Sequence, residues 1–343
     1  MKYRTLGRTG LKVSVVGVGG HEYRRRPLVK DGRYTVLDPD RPRFIAEALE
    51  RGINYFDTTF TEEAQSLGYA LREIGAARDR VYITAMTISP FAHMAECPSA
   101  QWKAYLEHEV NDRLQLLGTD YVDVFTLGIV ENSFKTDMFE AAVAILDDFR
   151  QRGMLNYIGI SGHDPDLMAR IITDSDGIDT VLTRLSYVLG RSQHLLDAAC
   201  ARNVGVVAMK AFCWDAYGLS FVPVRKQLVE SLPPDGPTPA QLALGWVLLS
   251  KEVSTVIPGM NSIEELGENA GAGDLEPEDV DHAILERLRD YPQVTEGLIE
   301  LIDHPFEETR HRALGELQKR IGKGLGTDKQ KYREAWQAQQ HPR

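Results

Sequence analysis

The chain has three cysteines in 343 residues, Cys97, Cys200 and Cys213, with no CxxC spacing. Any pairing leaves one over, which argues against a disulfide frame or a cysteine-based zinc site and suits a reducing compartment. No apolar run approaches the ~18 residues a membrane span requires. The opening MKYRTLGRTG lacks the apolar stretch of a secretion signal, so the expectation is a soluble, cytoplasmic protein with no membrane partner. Positive charge is also short: 39 Lys and Arg against 50 Asp and Glu, a net charge of -11. A general nucleic-acid binder needs a basic face to neutralise phosphates. Nucleic acid is therefore not expected as a partner, and a small-molecule substrate is. Nor does a GxGxxG fingerprint follow the first strand.

What is present is alternation. Hydrophobic content of 43% and charged content of 26% are those of a globular chain. Short apolar runs begin near residues 15, 53, 81, 121, 157, 180, 205 and 254, with a helical pattern between almost every pair. Strand–helix alternation with crossovers of this length requires a parallel sheet, and eight units close it into an α/β barrel, the (β/α)8 TIM barrel. An open doubly wound sheet is the rival. Residues 1–275 are read as the barrel, opened by a β-hairpin of Tyr3–Leu6 and Leu11–Ser14 around Gly7 and Gly10. A long polar connection runs from His21 to Arg41. Residues 276–343 are read as a helical extension packed on or trailing the barrel, with Glu276–Asp290 a packing helix; the basic stretch from Arg310 reads first as a solvated face, with a surface helix, a partner-binding tail and a partly disordered end as the alternatives.

The stretch Ile53-Asn-Tyr-Phe-Asp57 is the reference point. A buried strand that ends on an acid places the carboxylate at the barrel mouth, where α/β barrels keep their chemistry. Proton transfer needs a titratable group within reach of the substrate, and the candidates at strand mouths are His21, Tyr23, Glu62, Glu63, His93 and His163. No HxH or HxxxH spacing supports a metal. Arg184 falls inside a barrel strand, where a charge must meet an anion. It faces a cofactor, an acidic substrate group or, structurally, Asp57. Phe212, Trp214 and Tyr217 are candidates for a pocket wall.

Taken together, YRTLGRTGLKVS, GINYFDTT, YVDVFTL, GMLNYIGIS, GVVAMK, PAQLALGWVL and STVIPGMNSIEELGEN resemble the aldo-keto reductase superfamily in order and spacing. The resemblance implies a (β/α)8 barrel that binds NADP(H) in extended form and moves hydride to or from a carbonyl. It also implies four catalytic places: aspartate, tyrosine, lysine and histidine. Here the aspartate is Asp57, the tyrosine's place holds Glu62, the lysine's Met86 and the histidine's Gly128. Without a lysine beside it, a buried Asp57 is expected to titrate above the usual carboxylate range. On the cofactor side the resemblance implies Ser161, Arg184, Lys210, Pro258, Gly259, Ser262, Glu268 and Asn269. The basic residue expected near the 2'-phosphate is Asn261, so NAD competes with NADP as the cofactor. The expected function is carbonyl/alcohol interconversion with a non-standard proton donor, Tyr23, His21 or Glu62. The alternatives are non-redox acid–base chemistry (dehydration, cyclisation or isomerisation) and a non-catalytic nucleotide-binding regulator.

Overall fold

The computed structural model describes residues 1–20, 28–30, 33–36, 39–130, 133–187, 190–212, 236–289, 292–303 and 307–340. The chain opens with an antiparallel hairpin, β1 (Tyr3–Thr5) and β2 (Lys12–Ser14), around a 3-10 turn at Gly7–Thr9. Leu6 and Val13 of this hairpin are fully buried and pack with Tyr55, Leu182, Val207 and Ile257. The hairpin is thus a plug for the inside of the sheet that follows. A second antiparallel hairpin, β3 (Leu28–Lys30) and β4 (Arg33–Val36), lies in the segment read from sequence as a plain polar connection.

Seven parallel strands then pair in chain order: β5 (Tyr55–Thr58), β6 (Tyr82–Thr87), β7 (Val122–Ile129), β8 (Leu155–Gly162), β9 (Thr180–Arg184), β10 (Gly205–Met209) and β11 (Val253–Val256). The eighth place belongs to residues 15–19. Gly17 N–H donates to Val256 O and Val18 N–H to Tyr55 O, both at 2.9 Å, and Asp57 N–H returns to Val18 O at 2.9 Å. That segment bridges both edge strands, so the sheet has no free edge and the barrel is closed. Phe56, Ile83, Ala85, Phe125, Leu127, Ile158 and Ile160 face outward into the main core with the helices. The alternate positions Tyr55, Met86, Leu182 and Val207 form a separate inner cluster, as period-2 side-chain alternation requires.

The helices α1 (Arg41–Glu50), α2 (Thr61–Glu73), α3 (Pro90–Glu96), α4 (Trp102–Leu117), α5 (Thr136–Gln151), α6 (Pro165–Asp174) and α7 (Gln193–Ala201) alternate with the strands. A further pair, Pro239–Leu248 and Ile263–Gly271, flanks β11. Two departures bear on the mouth: α2 starts at Thr61 rather than near Gln65, and α3 was not foreseen.

Buried acids staple the barrel at its N-terminal end. Asp123 Oδ2 accepts from Ile83 N–H at 2.9 Å and from Arg78 Nη2 at 2.7 Å, joining β6 to β7. Asp179 Oδ2 accepts from Ile158 N–H at 3.0 Å and does the same for β8 and β9. Burial, its largest influence, raises the Asp179 carboxyl above the ordinary range. Removing an acceptor here strands a buried N–H and a guanidinium. Asp123→Ala is expected to cost about 3 kcal/mol, read as a lower urea midpoint, with substrate-side properties unchanged.

The extension forms a second core. Its helices His282–Arg289, Pro292–Glu300, Glu307–Ile321 and Lys329–Gln340 bring Leu285, Leu298, Leu301, Leu317 and Tyr332 against Leu242 and Ala243 of the barrel helix Pro239–Leu248. The stretch from Arg310 is therefore not simply a solvated face. Ala313, Leu317, Ile321 and Tyr332 are buried, and of the basic side chains Lys319 is exposed while Arg320 is almost covered.

Candidate active site

On six of the barrel strands, β5 to β10, the last inward-facing residue marks the C-terminal mouth. These are Asp57 on β5, Met86 on β6, Gly128 on β7, Ser161 on β8, Arg184 on β9 and Met209 on β10. Around the rim the chemistry reads acid, thioether, no side chain, hydroxyl, guanidinium, thioether. Asp57 and Arg184 sit four strands apart in an eight-membered ring, so they start from opposite walls.

Asp57 is 3% exposed, and its Oδ2 accepts the Thr59 hydroxyl at 3.3 Å. The backbone N–H of the same Thr59 donates to Glu63 Oε2 at 2.6 Å, and Phe60 N–H reaches that oxygen at 3.2 Å. Glu63 is fully buried and caps the N-terminus of α2, where exposed N–H groups and the helix dipole favour a carboxylate. Thr59 thus ties two buried carboxylates together. The first barrel segment leaves over this pair. A Cβ at Gly20 would lie 2.6 Å from both Asp57 O and Glu63 Oε2, so a residue without a side chain is needed there.

The adjacent Glu62 behaves differently. It is half-buried at the second position of α2, and its Oε2 accepts the Thr61 hydroxyl at 3.0 Å. Arg184 is buried and donates from Nη2 to His163 O at 2.8 Å. His163 therefore meets the mouth through its carbonyl, with its side chain half-buried. His93 lies exposed on α3, stacked on Tyr105 with ring centroids 3.9 Å apart. His21, Tyr23, Trp214 and Tyr217 lie outside the described residues. The lumen tyrosines are poor proton donors. Tyr55 shares a 2.6 Å hydrogen bond with Thr84, and burial pushes its hydroxyl well above the ordinary phenol range. Tyr157 donates to Thr9 O at 2.7 Å and is likewise raised by burial.

Lys210 is the first residue beyond β10 and sits at φ 57, a left-handed conformation that is uncommon and strained for a non-glycine residue. On the far side, Gly19 N–H donates to Pro258 O at 3.0 Å and Gly259 pairs with Gly19. Ser262 caps the helix Ile263–Gly271 by accepting from Glu265 N–H at 3.2 Å. Glu265 returns the contact, taking Asn261 N–H at 2.7 Å. The Glu264 carboxyl is held below its usual range by its own backbone N–H first and the Ser262 hydroxyl second. The backbone carbonyl of Glu268 accepts from Gln241 Nε2 at 3.0 Å. Glu264 and Glu265 lie outside the site residues expected from sequence, and Ser262-Ile-Glu-Glu265 has the spelling of a capping box.

The donor set suits one half of a dinucleotide better than the other. Ser161 at the mouth and Asn269 on the flanking helix are both buried, and neither side chain hydrogen-bonds to another described residue. Their polar atoms are not sealed from solvent, so each is open to water or to a ligand. In contrast, the helix end that the resemblance associates with a 2'-phosphate already carries two carboxylates.

The aldo/keto reductase family model matches residues 29–213, just over half of the chain. The chain belongs to the aldo/keto reductase family. This aldo/keto reductase is 26% identical over 291 residues to L-galactose dehydrogenase of Arabidopsis thaliana, covering 79% of this chain and 88% of that protein. It is 25% identical over 254 residues to pyridoxine 4-dehydrogenase of Escherichia coli K12, covering 70% and 85%. In structure it is similar to an aldo-keto reductase of Bacillus halodurans in its holo form, with TM-score 0.63 and 24% identity over 86% of this chain and 99% of that one. That likeness is one of fold. Among the described residues, no helix is long and apolar enough to cross a membrane.

Proposed function

We propose that this protein is a nicotinamide-dependent oxidoreductase of carbonyl/alcohol type that works with NAD rather than NADP and favours oxidation of the alcohol. The observation that carries the reading is the pair of carboxylates, Glu264 and Glu265, at the N-terminus of the helix Ile263–Gly271. A carboxylate accepts hydrogen bonds from ribose hydroxyls, whereas a 2'-phosphate calls for a cation. Ser161, Arg184, Pro258, Gly259 and Asn269 are the residues that would hold the dinucleotide. Bound there, the nicotinamide supplies the hydride chemistry.

The chain's own part is to orient the substrate and manage a proton. Glu62 stands where the resemblance implies a phenolic acid, and a carboxylate is a base where a phenol is an acid. It takes the proton from the substrate hydroxyl as the carbonyl forms. Asp57, held by Thr59, orients the substrate from its own wall, while Arg184 on the opposite wall faces the dinucleotide.

Titration with NADH and NADPH, followed by quenching of protein fluorescence, is expected to show micromolar binding of NADH and much weaker binding of NADPH. Glu62→Gln is expected to lower kcat for alcohol oxidation by roughly 100-fold while leaving NADH binding unchanged. Absence of binding by either cofactor at millimolar concentration would remove the redox reading. Non-redox acid–base chemistry would then take its place, which the two buried carboxylates joined through Thr59 favour.

A further inference from the structure

The connection from β9 to α7 carries a cation outside the set gathered at the mouth. Gly190 N–H returns to Ser186 O at 2.8 Å, and Gly190 sits at φ 77. The chain thus turns back soon after Arg184 and enters α7 through Arg191 and Ser192. A helix that follows a barrel strand starts on the C-terminal face, so this corner lies on the rim of the mouth. Leu195 and Leu196 are fully buried in the main core and hold the first turn of α7 in place.

Three kinds of donor meet at this corner. Arg191 is half-buried, with its guanidinium carbon 4.2 Å from the Trp246 ring centre and a hydrogen bond from Nη2 to Trp246 O. Its Nε is sealed from solvent and has no acceptor. Among the described residues no carboxylate lies within ion-pair distance of it, and Glu252 acts on it only through space. Burial, the larger influence, pulls the guanidinium below the usual arginine range. Ser192 holds the N-cap place of α7 and is 3% exposed, yet its Oγ caps no N–H and is sealed without a partner. The first intrahelical bond runs from Leu196 N–H to Ser192 O at 3.1 Å, so the N–H groups of residues 193–195 precede it and face the open helix end. The N-cap place puts the Ser192 hydroxyl beside them. No acid stands in the first turn of α7, and the Asp166 carboxylate of α6 is taken by His194 Nε2. The N-terminus of α6 differs, because Asp164 Oδ1 caps it by accepting from Asp166 N–H at 2.8 Å and Leu167 N–H at 3.0 Å.

A half-buried cation without an anion, a sealed hydroxyl without a partner and an uncapped helix end each cost free energy when left alone. One ligand relieves all three. The helix dipole and the guanidinium both favour negative charge, and an arginine fork matches two oxygens on one centre. We propose that the Arg191–Ser192 corner binds a small oxyanion, a phosphate or carboxylate group, at the rim of the mouth. The corner shares no residue with the dinucleotide set and needs no cofactor, so it stands apart from the proposed redox function. Two sources share this chemistry, an acidic group on the substrate and a free anion.

The test titrates the full-length protein with inorganic phosphate and with glycerol 3-phosphate, followed by phosphorus NMR at an ionic strength fixed with chloride. Wild type is expected to bind both saturably, with roughly millimolar affinity. Ser192→Ala should weaken binding by about three- to tenfold, and Arg191→Gln by about tenfold or more. Arg150→Gln, whose guanidinium already meets Asp147 and Asp179, should match wild type. If Arg191→Gln fails to fold, Ser192→Ala decides. Glycerol 3-phosphate that binds more tightly once NAD is present assigns the oxyanion to the substrate, and equal affinity assigns it to a free anion; both support the site. Absence of saturable binding, or affinity unchanged in Ser192→Ala, overturns the proposal. Displacement of phosphate by NADH does so too, because it places the anion in the dinucleotide site. NADH titration of the same samples reads the redox function separately: a phosphate site kept in a protein that binds no nicotinamide removes that function alone.

Discussion

Removing residues 276–343 is expected to leave a chain that precipitates, or that loses cooperative unfolding, rather than a free-standing barrel. The reason lies in the helix Pro239–Leu248. Pro239, Ala240, Leu242, Ala243, Leu244, Gly245, Val247 and Leu248 are all buried, so the helix has no solvated stripe. Leu244, Val247 and Leu248 belong to the barrel core, while Leu242 and Ala243 belong to the core shared with the extension. A helix apolar on all sides needs cover on all sides. Deletion also uncovers Trp246 and Tyr187, which meet edge to face at 5.3 Å, and Arg191, whose guanidinium lies 4.2 Å from the Trp246 ring centre. Folding stability of a domain is on the order of 5–15 kcal/mol, and losing one side of a core exceeds it. Point variants check the same argument: Leu242→Ala and Leu317→Ala are each expected to cost about 2–5 kcal/mol. Both should shift one shared urea transition. A truncated protein with a wild-type midpoint, or two separate transitions in the full chain, would show that the extension folds independently.

That dependence was only partly legible in the sequence. In the tail, basic residues far outnumber acidic ones and mask a stripe at Ala313, Leu317 and Ile321, four residues apart along one helix face. Charge composition reports the solvated side of a helix, while burial is decided by the smaller apolar side. The barrel itself was readable because its strands are buried on both faces and separated by helices, which leaves few other closures. Asp57 was readable for the same reason, as an acid ending an apolar run. The division between Glu62 and Glu63 was not, because it depends on where α2 starts. A start at Thr61 makes Glu63 the residue that caps the backbone and leaves Glu62 half-buried beside it, whereas a start near Gln65 leaves both in a loop. The close approach of residues 87–89 to Gly128, where a Cβ would lie 3.0 Å from Thr87 O and 3.2 Å from Ser89 N, was also out of reach, since contacts between neighbouring strand ends follow from barrel closure and not from local pattern.

Neutralising the two carboxylates at the adenosine end is expected to narrow the gap between NADH and NADPH binding without disturbing the barrel. Glutamine keeps an oxygen acceptor for Asn261 N–H, which Glu265 holds at 2.7 Å, so Glu264→Gln with Glu265→Gln alters charge more than geometry. A 2'-phosphate adds about two negative charges, and the carboxylates oppose it through water-exposed space, offset in part by the Arg43 guanidinium that acts on Glu264. Removing them is expected to strengthen NADPH binding by roughly tenfold at low ionic strength and to leave NADH nearly unchanged. Salt supplies a sharper sign. Where an anion is attracted to a basic pocket, added salt weakens binding; where it is repelled, screening over a length of ~10 Å at 0.1 M relieves the repulsion. NADPH affinity of the wild type should therefore rise with salt while that of the double variant stays level, as read by fluorescence titration across ionic strengths. If wild-type NADPH binding instead weakens with salt and matches NADH, the phosphate meets a cation elsewhere and Glu264 and Glu265 do no more than cap their helix.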